Sequence, residues 1–177
     1  PICVKSQGRD SRHFRASGDK ERILPEYSWD YCFPGDECGY KWIVLVGKER
    51  QSRGIMATAV PHKGGTGQFS VDKCVAFINE MGDRNRDMII KSDQEPAAKH
   101  LLRCCVDRKL LDCEDMERPE GRTVIEESPV QSSASNGMVE RAVQEIEGRI
   151  RAIYLQLQER IGRHMNRVYS RIRGLSD

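Results

Sequence analysis

The segment Tyr40 to Val46, YKWIVLV, is a near-continuous apolar run, and it constrains the fold more than any other stretch of the chain. A run this short cannot span a bilayer, and it presents no polar side to water, so it suits a strand covered on both faces. Its surroundings supply the rest of a sheet. Ile23 to Phe33 is a second strand candidate, joined to the first through Pro34-Gly35-Asp36-Glu37, which is a turn by composition. Arg53 to Val60 (RGIMATAV) makes a third strand after a charged turn. Three strands in succession with tight turns form an antiparallel meander.

The period then changes from two to three or four. Past the glycine-rich loop His62 to Gln68, Val71, Val75 and Ile78, with Cys74 and Phe77 beside them, describe a helix that Gly82 stops. Asp87 to Lys91 (DMIIK) is a short buried strand that delivers Asp93 at its carboxyl end. Glu95 to Asp107 reads as a helix with Pro96 in its first turn. Leu110 to Arg122 is charged and irregular, and Pro119 and Gly121 mark it as a surface insertion. Thr123 to Glu126 is a last short strand, and the small polar stretch Ser128 to Gly137 (SPVQSSASNG) is expected as a mobile loop. Val139, Val143, Ile146, Ile150, Ile153, Leu157 and Ile161 then recur at steps of three or four. They describe one long amphipathic helix, mostly core. Glu140, Gln144, Glu147 and Arg151 share its other face. The pattern as a whole predicts an α/β layered sheet, an antiparallel meander extended by parallel strands, with helices on both faces.

A length of 177 residues allows one domain with a mixed sheet and several helices. The absence of a bilayer-length apolar run and of a signal-peptide core leads to the expectation of a soluble intracellular protein without a membrane partner. Seven cysteines, Cys3, Cys32, Cys38, Cys74, Cys104, Cys105 and Cys113, form an odd and irregular set without a C-x-x-C pair. Reduced thiols are expected, neither a disulfide framework nor a zinc site. Charge is segregated. Residues 1–22 hold six Lys/Arg against three acids, and residues 141–177 hold eight Arg against four, so a chain of net charge +2 keeps an acidic centre between basic ends. Basic ends suit a polyanion, and an acidic centre suits cations.

Three acids in that centre stand in distinctive settings: Asp30 in YSWDYCF, Asp93 in MIIKSDQEPA and Glu140 in SSASNGMVERAVQ. One belongs to a strand, one to the end of another strand, and one to the first turns of a helix beyond a small-residue loop. Two Asp and one Glu gathered by a fold can hold two divalent cations, which activate a water or a 3′-hydroxyl and stabilise the leaving oxygen of an in-line displacement at phosphorus. Mg²⁺ prefers such hard oxygen ligands. The same acids could individually be surface or capping residues, since the chain has 27 of them; the local sequence around each one favours the joint reading.

With these motifs the chain resembles the catalytic core of retroviral and LTR-retrotransposon integrases, the D,D-E class of the ribonuclease H-like superfamily, from about Tyr27 to about Ile161. Trp29-Asp30 resembles the first motif, Ser92-Asp93-Gln94-Glu95 the second, and Asn136-Gly137-Met138-Val139-Glu140 the third. The stretch SRGIMATAVP resembles the third strand of the family, and Ser128-Pro129 its approach to the loop. The resemblance implies a ribonuclease H-like fold, Asp30, Asp93 and Glu140 as catalytic residues and ligands of two Mg²⁺ or Mn²⁺ ions, and 3′-end processing and strand transfer on DNA. Asp30 and Asp93 would share one ion, and Asp30 and Glu140 the second. It further implies a retrotransposon Pol polyprotein, a homo-oligomer, and work in the nucleus. DNA contacts are expected from Asn136, Gly137, Arg141, Arg149 and Arg151, because Gln144 and Glu147 stand where retroviral enzymes place lysines.

On this reading residues 1–22 are a basic arm, 23–161 the catalytic core and 162–177 a basic tail. Pro1-Ile2-Cys3-Val4 resembles the end of the zinc-binding module that precedes integrase cores, but Cys3 has no partner at that spacing. A start inside a larger polyprotein, without that zinc, is the expectation. Asp93 and Glu140 lie 47 positions apart, further than in retroviral integrases, and the excess coincides with 110–122. Two alternatives remain open: a catalytically decayed nucleic-acid-binding remnant of the same fold, and a ribonuclease H-like nuclease. Asp36 and Glu37 read as solvated turn acids, His13 as part of the basic arm and His100 as a helix-surface residue. Gln94 could contact DNA or stand idle, and Glu95 either accepts from a metal-bound water or simply charges a helix N-terminus. The HKGGTG loop lacks the order of a phosphate-binding loop.

Overall fold

The computed structural model describes residues 24–35, 41–111, 121–127 and 133–161. The expectations for residues 1–22, Asp36 and Glu37, most of the 110–122 insertion, Ser128 to Gln131 and the 162–177 tail lie outside them. Among the described residues, five strands and three helices follow in the order β1 (Glu26–Cys32), β2 (Ile43–Glu49), β3 (Ile55–Val60), α1 (Gln68–Glu80), β4 (Met88–Ser92), α2 (Pro96–Leu111), β5 (Thr123–Glu127) and α3 (Ser133–Ile161). The sheet order is β3-β2-β1-β4-β5. β1–β2 and β2–β3 pair antiparallel, β1–β4 and β4–β5 parallel. An antiparallel meander continued by two parallel strands is the ribonuclease H-like arrangement, and it puts β1 in the centre.

Alternation along β1 divides its side chains between the two faces. Tyr27, Trp29 and Tyr31 enter the larger core, with Leu45, Met88 and Ile90 from the sheet, Val71, Cys74, Phe77 and Ile78 from α1, and Leu101, Leu102 and Cys105 from α2. Cys32 lies on the opposite face with Val44, Val46 and Ala142 in a smaller core, against which Val143, Ile146 and Ile150 of α3 pack. Helices therefore cover both faces, and the four cysteines among the described residues, Cys32, Cys74, Cys104 and Cys105, are free thiols.

The larger core is organised around aromatics. Tyr27 and Trp29 stack with centroids 6.3 Å apart, and Phe77 meets both edge-on at 5.8 and 5.9 Å. Trp29 pairs across the ladder with Gly47, and a Cβ at Gly47 would stand 2.2 Å from Trp29 Cζ3. The indole thus occupies the space a side chain would fill. This explains why β2 runs on through Gly47-Lys48-Glu49 instead of ending at Val46: the sequence suggests a turn there, but the glycine is the seat of the indole. At its start β2 begins at Ile43, because Trp42 N–H donates to Pro34 O at 3.1 Å and Lys41 only bridges to Gly35 at the hairpin end.

Two further boundaries depart from the sequence. α2 continues to Leu111, so Leu110 and Leu111 belong to the helix and not to the insertion. Lys109 near its end is 4% exposed and donates to Gly121 O at 3.3 Å and Thr123 Oγ1 at 2.9 Å, tying the last turn to β5. Ser133 to Gly137, expected in a mobile loop, form the opening of α3. Serine and asparagine have only mildly unfavourable helix propensity. Once Val139 and Ala142 anchor the helix on the sheet, extending it backwards adds one hydrogen bond per residue. At the other end the apolar stripe outlasts the sheet: Ile150 still packs, but Ile153 is 57% exposed. Gly82, at φ 83°, terminates α1 in the left-handed region that glycine adopts freely.

Replacing Gly47 by alanine forces the Trp29 indole out of its seat. We expect a loss of about 1–3 kcal/mol in stability, measured as a lower urea midpoint with an unchanged slope.

Candidate functional site

The ladder between β1 and β4 runs Glu26↔Ile89, Tyr27↔Ile90, Ser28↔Lys91 and Trp29↔Ser92. One position beyond the last of these pairs stand Asp30 and Asp93. The parallel register therefore sets two carboxylates from distant parts of the sequence side by side, in the region where open α/β sheets bind ligands, at the carboxyl ends of their strands. Asp30 is still within β1 and half-buried; Asp93 follows the last residue of β4 and is also half-buried.

Glu140 reaches the same place from the other direction. α3 lies against β1 and β2, with Val139 and Ala142 buried at 1% and 2% exposure, and Glu140 sits between them in sequence as an exposed side chain. Its charge acts on Asp30. Burial pushes the Asp30 carboxyl above the usual carboxylate range, the Tyr31 backbone N–H opposes this by donating to Oδ1 at 2.7 Å, and Asp93, Glu140 and Glu95 push it further up. The Cys32 thiol, one step along the same face, is pushed up to about 11 by burial, by Glu147 and by Asp30. α3 thus carries Glu140 and Glu147 along the rim of β1.

The three sequence-predicted carboxylates are brought within electrostatic reach of one another, with Glu95 as a fourth. As the side chains stand, no three His, Cys, Asp or Glu among the described residues approach closely enough to hold a metal ion. In kind the donors fit a hard divalent cation, since all are carboxylates and each raises the cost of ionising Asp30. Asp93 is braced by its own helix start: its Oδ1 accepts from the Glu95 N–H at 3.1 Å, and Lys99 N–H donates to Glu95 O at 3.0 Å in the first turn of α2.

Glu95 does more than charge a helix N-terminus. Both its oxygens accept from Lys63 Nζ, at 2.6 and 2.8 Å. Lys63 in turn lies 5.4 Å from the Tyr31 ring centroid and 4.7 Å from that of Phe33. Tyr31 OH accepts from the Gly64 N–H at 3.0 Å, and His100 Nδ1 accepts from the Gly65 N–H at 3.3 Å. The HKGGTG loop is therefore strapped to β1 and α2, and His100 is a brace, not a base. Sequence reasoning passed over Lys63. Its signal was a lone lysine after the third strand, which has no meaning until the fold sets Glu95 beside it.

Lys91 was also missed. On β4, opposite Ser28, it is 6% exposed and bonds Glu26 Oε1 and Glu126 Oε2, both at 3.1 Å, while Arg50 meets Glu26 Oε2 at 3.2 Å. This ionic ladder, buried at Lys91 and Glu26 and open to water at Glu126, crosses three strands from β1 to β5 and ties together the strands that carry Asp30 and Asp93.

The expected nucleic-acid contacts are more dispersed. Gly137 faces open space, and the Asn136 side chain lies outside the described residues. Arg141 is exposed directly beside Glu140. Arg149 and Arg151 follow at about 14 and 17 Å along the helix axis. Arg149 pairs with Glu145, and Arg151 lies 3.9 Å from Glu147, each on its own helix.

No protein-family model matches the chain, and no curated protein sequence does. Solved structures do. A chain of the simian T-cell lymphotropic virus intasome, in complex with PP2A regulatory subunit B56 gamma, aligns over 75% of this chain and 49% of its own, with 12% identity and a TM-score of 0.44. The HTLV-2 integrase catalytic core domain, in complex with magnesium and in dimeric form, aligns over 68% of this chain and 66% of its own, with 15% identity and a TM-score of 0.38. This chain thus spans about half of the first of those chains.

Proposed function

We propose that the carboxylate cluster is a two-metal phosphoryl-transfer site acting on DNA, and that the chain is the integrase catalytic domain of a retrotransposon Pol polyprotein. The observation that carries this reading is the placement of Asp30 and Asp93 at neighbouring register positions of two parallel strands, with Glu140 directing its charge onto Asp30. Nothing in the packing of the core requires three acids there. Asp30 in particular is held in an environment that disfavours its charge, which is a cost a folded protein retains where the charge has work to do.

Bound divalent ions would supply Lewis-acid stabilisation of the displacement at phosphorus. The residues of this chain supply the rest. Asp30 is fixed by Tyr31 N–H and Asp93 by Glu95 N–H, so the two strand-borne carboxylates are oriented in advance. Glu140, exposed on α3, is the one of the three that is free to adjust. Arg141 stands next to Glu140, where a DNA phosphate would pass. The exposed Ile153 continues the apolar line of α3 beyond the sheet and offers a surface to a second copy of the chain.

A second reading, a remnant that binds nucleic acid without catalysis, has its own support in the separation of the carboxylates. The two differ in what they produce. On the integrase reading, Asp93→Asn and Glu140→Gln each remove Mg²⁺-dependent nicking and joining of a terminal-DNA substrate, by about 10³-fold or more, and leave the fold intact. Wild-type protein that binds DNA but forms no product with Mg²⁺ or Mn²⁺ supports the remnant instead.

Stability gives an independent measurement. The Asp30 carboxyl has its folded-state pKa above its unfolded one, so it costs stability where it is ionised. That cost is absent below the unfolded value of about 4 and grows as pH rises through the folded value. Asp30→Asn should therefore raise the unfolding temperature at neutral pH in EDTA, and the gain should vanish as pH falls toward 4. Millimolar Mg²⁺ should raise the unfolding temperature of the wild type and not that of Asp30→Asn; equal responses would remove Asp30 from the metal site.

A further inference from the structure

We infer that Lys63 is a DNA-phosphate contact at the mouth of the carboxylate cluster, held in place by Glu95 and the Tyr31 and Phe33 rings until a phosphate displaces Glu95. The inference deepens the nucleic-acid reading above and rests on it. Its basis is the position of a cation that meets the cluster through Glu95. Glu95 N–H bonds Asp93, and the Glu95 carboxylate acts on Asp30, so whatever Glu95 holds lies at the edge of the site. What it holds is the Lys63 ammonium, through both oxygens.

The pair is placed for exchange. Lys63 and Glu95 side chains are 27% and 33% exposed, so water and ligands reach both. An ion pair that accessible is weak, and a phosphate oxygen is an equal acceptor for the ammonium. The stem of Lys63 is confined by the loop that Tyr31 and His100 strap to the fold, and its Nζ lies over the face of Phe33, a ring 42% exposed. The ammonium is therefore presented at a defined point and not left to wander. A nucleic acid approaching four carboxylates meets repulsion unless a cation stands among them, and Lys63 stands there. It adds a positive charge on the β1–α2 side of the site, apart from Arg141 beside Glu140 on α3.

The test is binding of a fluorescein-labelled DNA duplex by the 177-residue chain in buffer containing Ca²⁺, followed by anisotropy over a range of salt concentrations. Lys63→Met keeps the apolar stem over Phe33 and removes the charge. It should weaken binding and lower the magnitude of the slope of log K against log salt by about 0.9, one phosphate contact, while Lys63→Arg retains the wild-type slope. Glu95→Gln keeps Lys63 and releases it, so it should bind more tightly than wild type. The double variant Lys63→Met/Glu95→Gln decides between contact and mere neutralisation. If it keeps the reduced slope, Lys63 touches DNA; if it regains wild-type affinity and slope, Lys63 only cancels Glu95 and the inference is overturned. An unchanged slope in Lys63→Met overturns it as well. Wild-type protein with no salt-dependent DNA binding overturns the nucleic-acid reading itself, and that outcome is visible before any variant is made.

Discussion

The parallel pairing of β1 with β4 is the constraint on which the rest of the structure depends. Among the described strands β1 alone has an antiparallel neighbour on one side and a parallel neighbour on the other, so it joins the meander to the crossover half of the sheet. The pairing is secured on both faces by different physics. On one, Tyr27, Trp29 and Tyr31 bury against α1 and α2 together with Met88 and Ile90 of β4. On the other, the buried Lys91 joins Glu26 to Glu126 through a ladder of charge-assisted hydrogen bonds. A slip of one residue in this register would exchange the two faces of β4 and place Lys91 among the aromatics. The register that avoids this is also the one that leaves Asp30 and Asp93 side by side.

The site is built against the tendency of its own charges. Four carboxylates concentrate around the ends of two strands, and burial adds to the cost of ionising Asp30. The fold offsets this locally, with backbone N–H groups for Asp30 and Asp93 and a lysine for Glu95. It also offsets it at a distance, through the aromatic core and the ionic ladder that hold the strands regardless of the site. Tyr27 shows the same division of labour: its ring stacks in the core while its hydroxyl donates to the buried Asp83 at 2.7 Å, which Arg86 neutralises. A scaffold secured in this way can tolerate an unfavourable cluster at its edge.

Much of this was legible in the sequence because it depends on periodicity. The strand candidates, the two helices that cover one face, the position of Asp93 at a strand end, and the long amphipathic helix all follow from where apolar residues recur. The departures occurred where a boundary depended on something across the sheet. Gly47 belongs to β2 because Trp29 needs room, and α2 reaches Leu111 because Lys109 finds acceptors on Gly121 and Thr123. Ser133 to Gly137 are helical because packing further along α3 has already met the cost of nucleation. Small polar residues look like a loop until there is a helix for them to extend.

The sequence by itself determined the inventory: three acids in three distinctive local settings, a strand pattern that calls for burial on both faces, and basic ends around an acidic centre. Those are properties of neighbouring residues and survive without a fold. Only the tertiary structure decided which charges meet. Asp30 and Asp93 are 63 positions apart in the chain and adjacent in the sheet, and Lys63 and Glu95, unrelated in sequence, form the ion pair beside them. Coulombic interaction depends on distance in space, and long-range distance in space is set by strand register and helix packing, which no local pattern encodes.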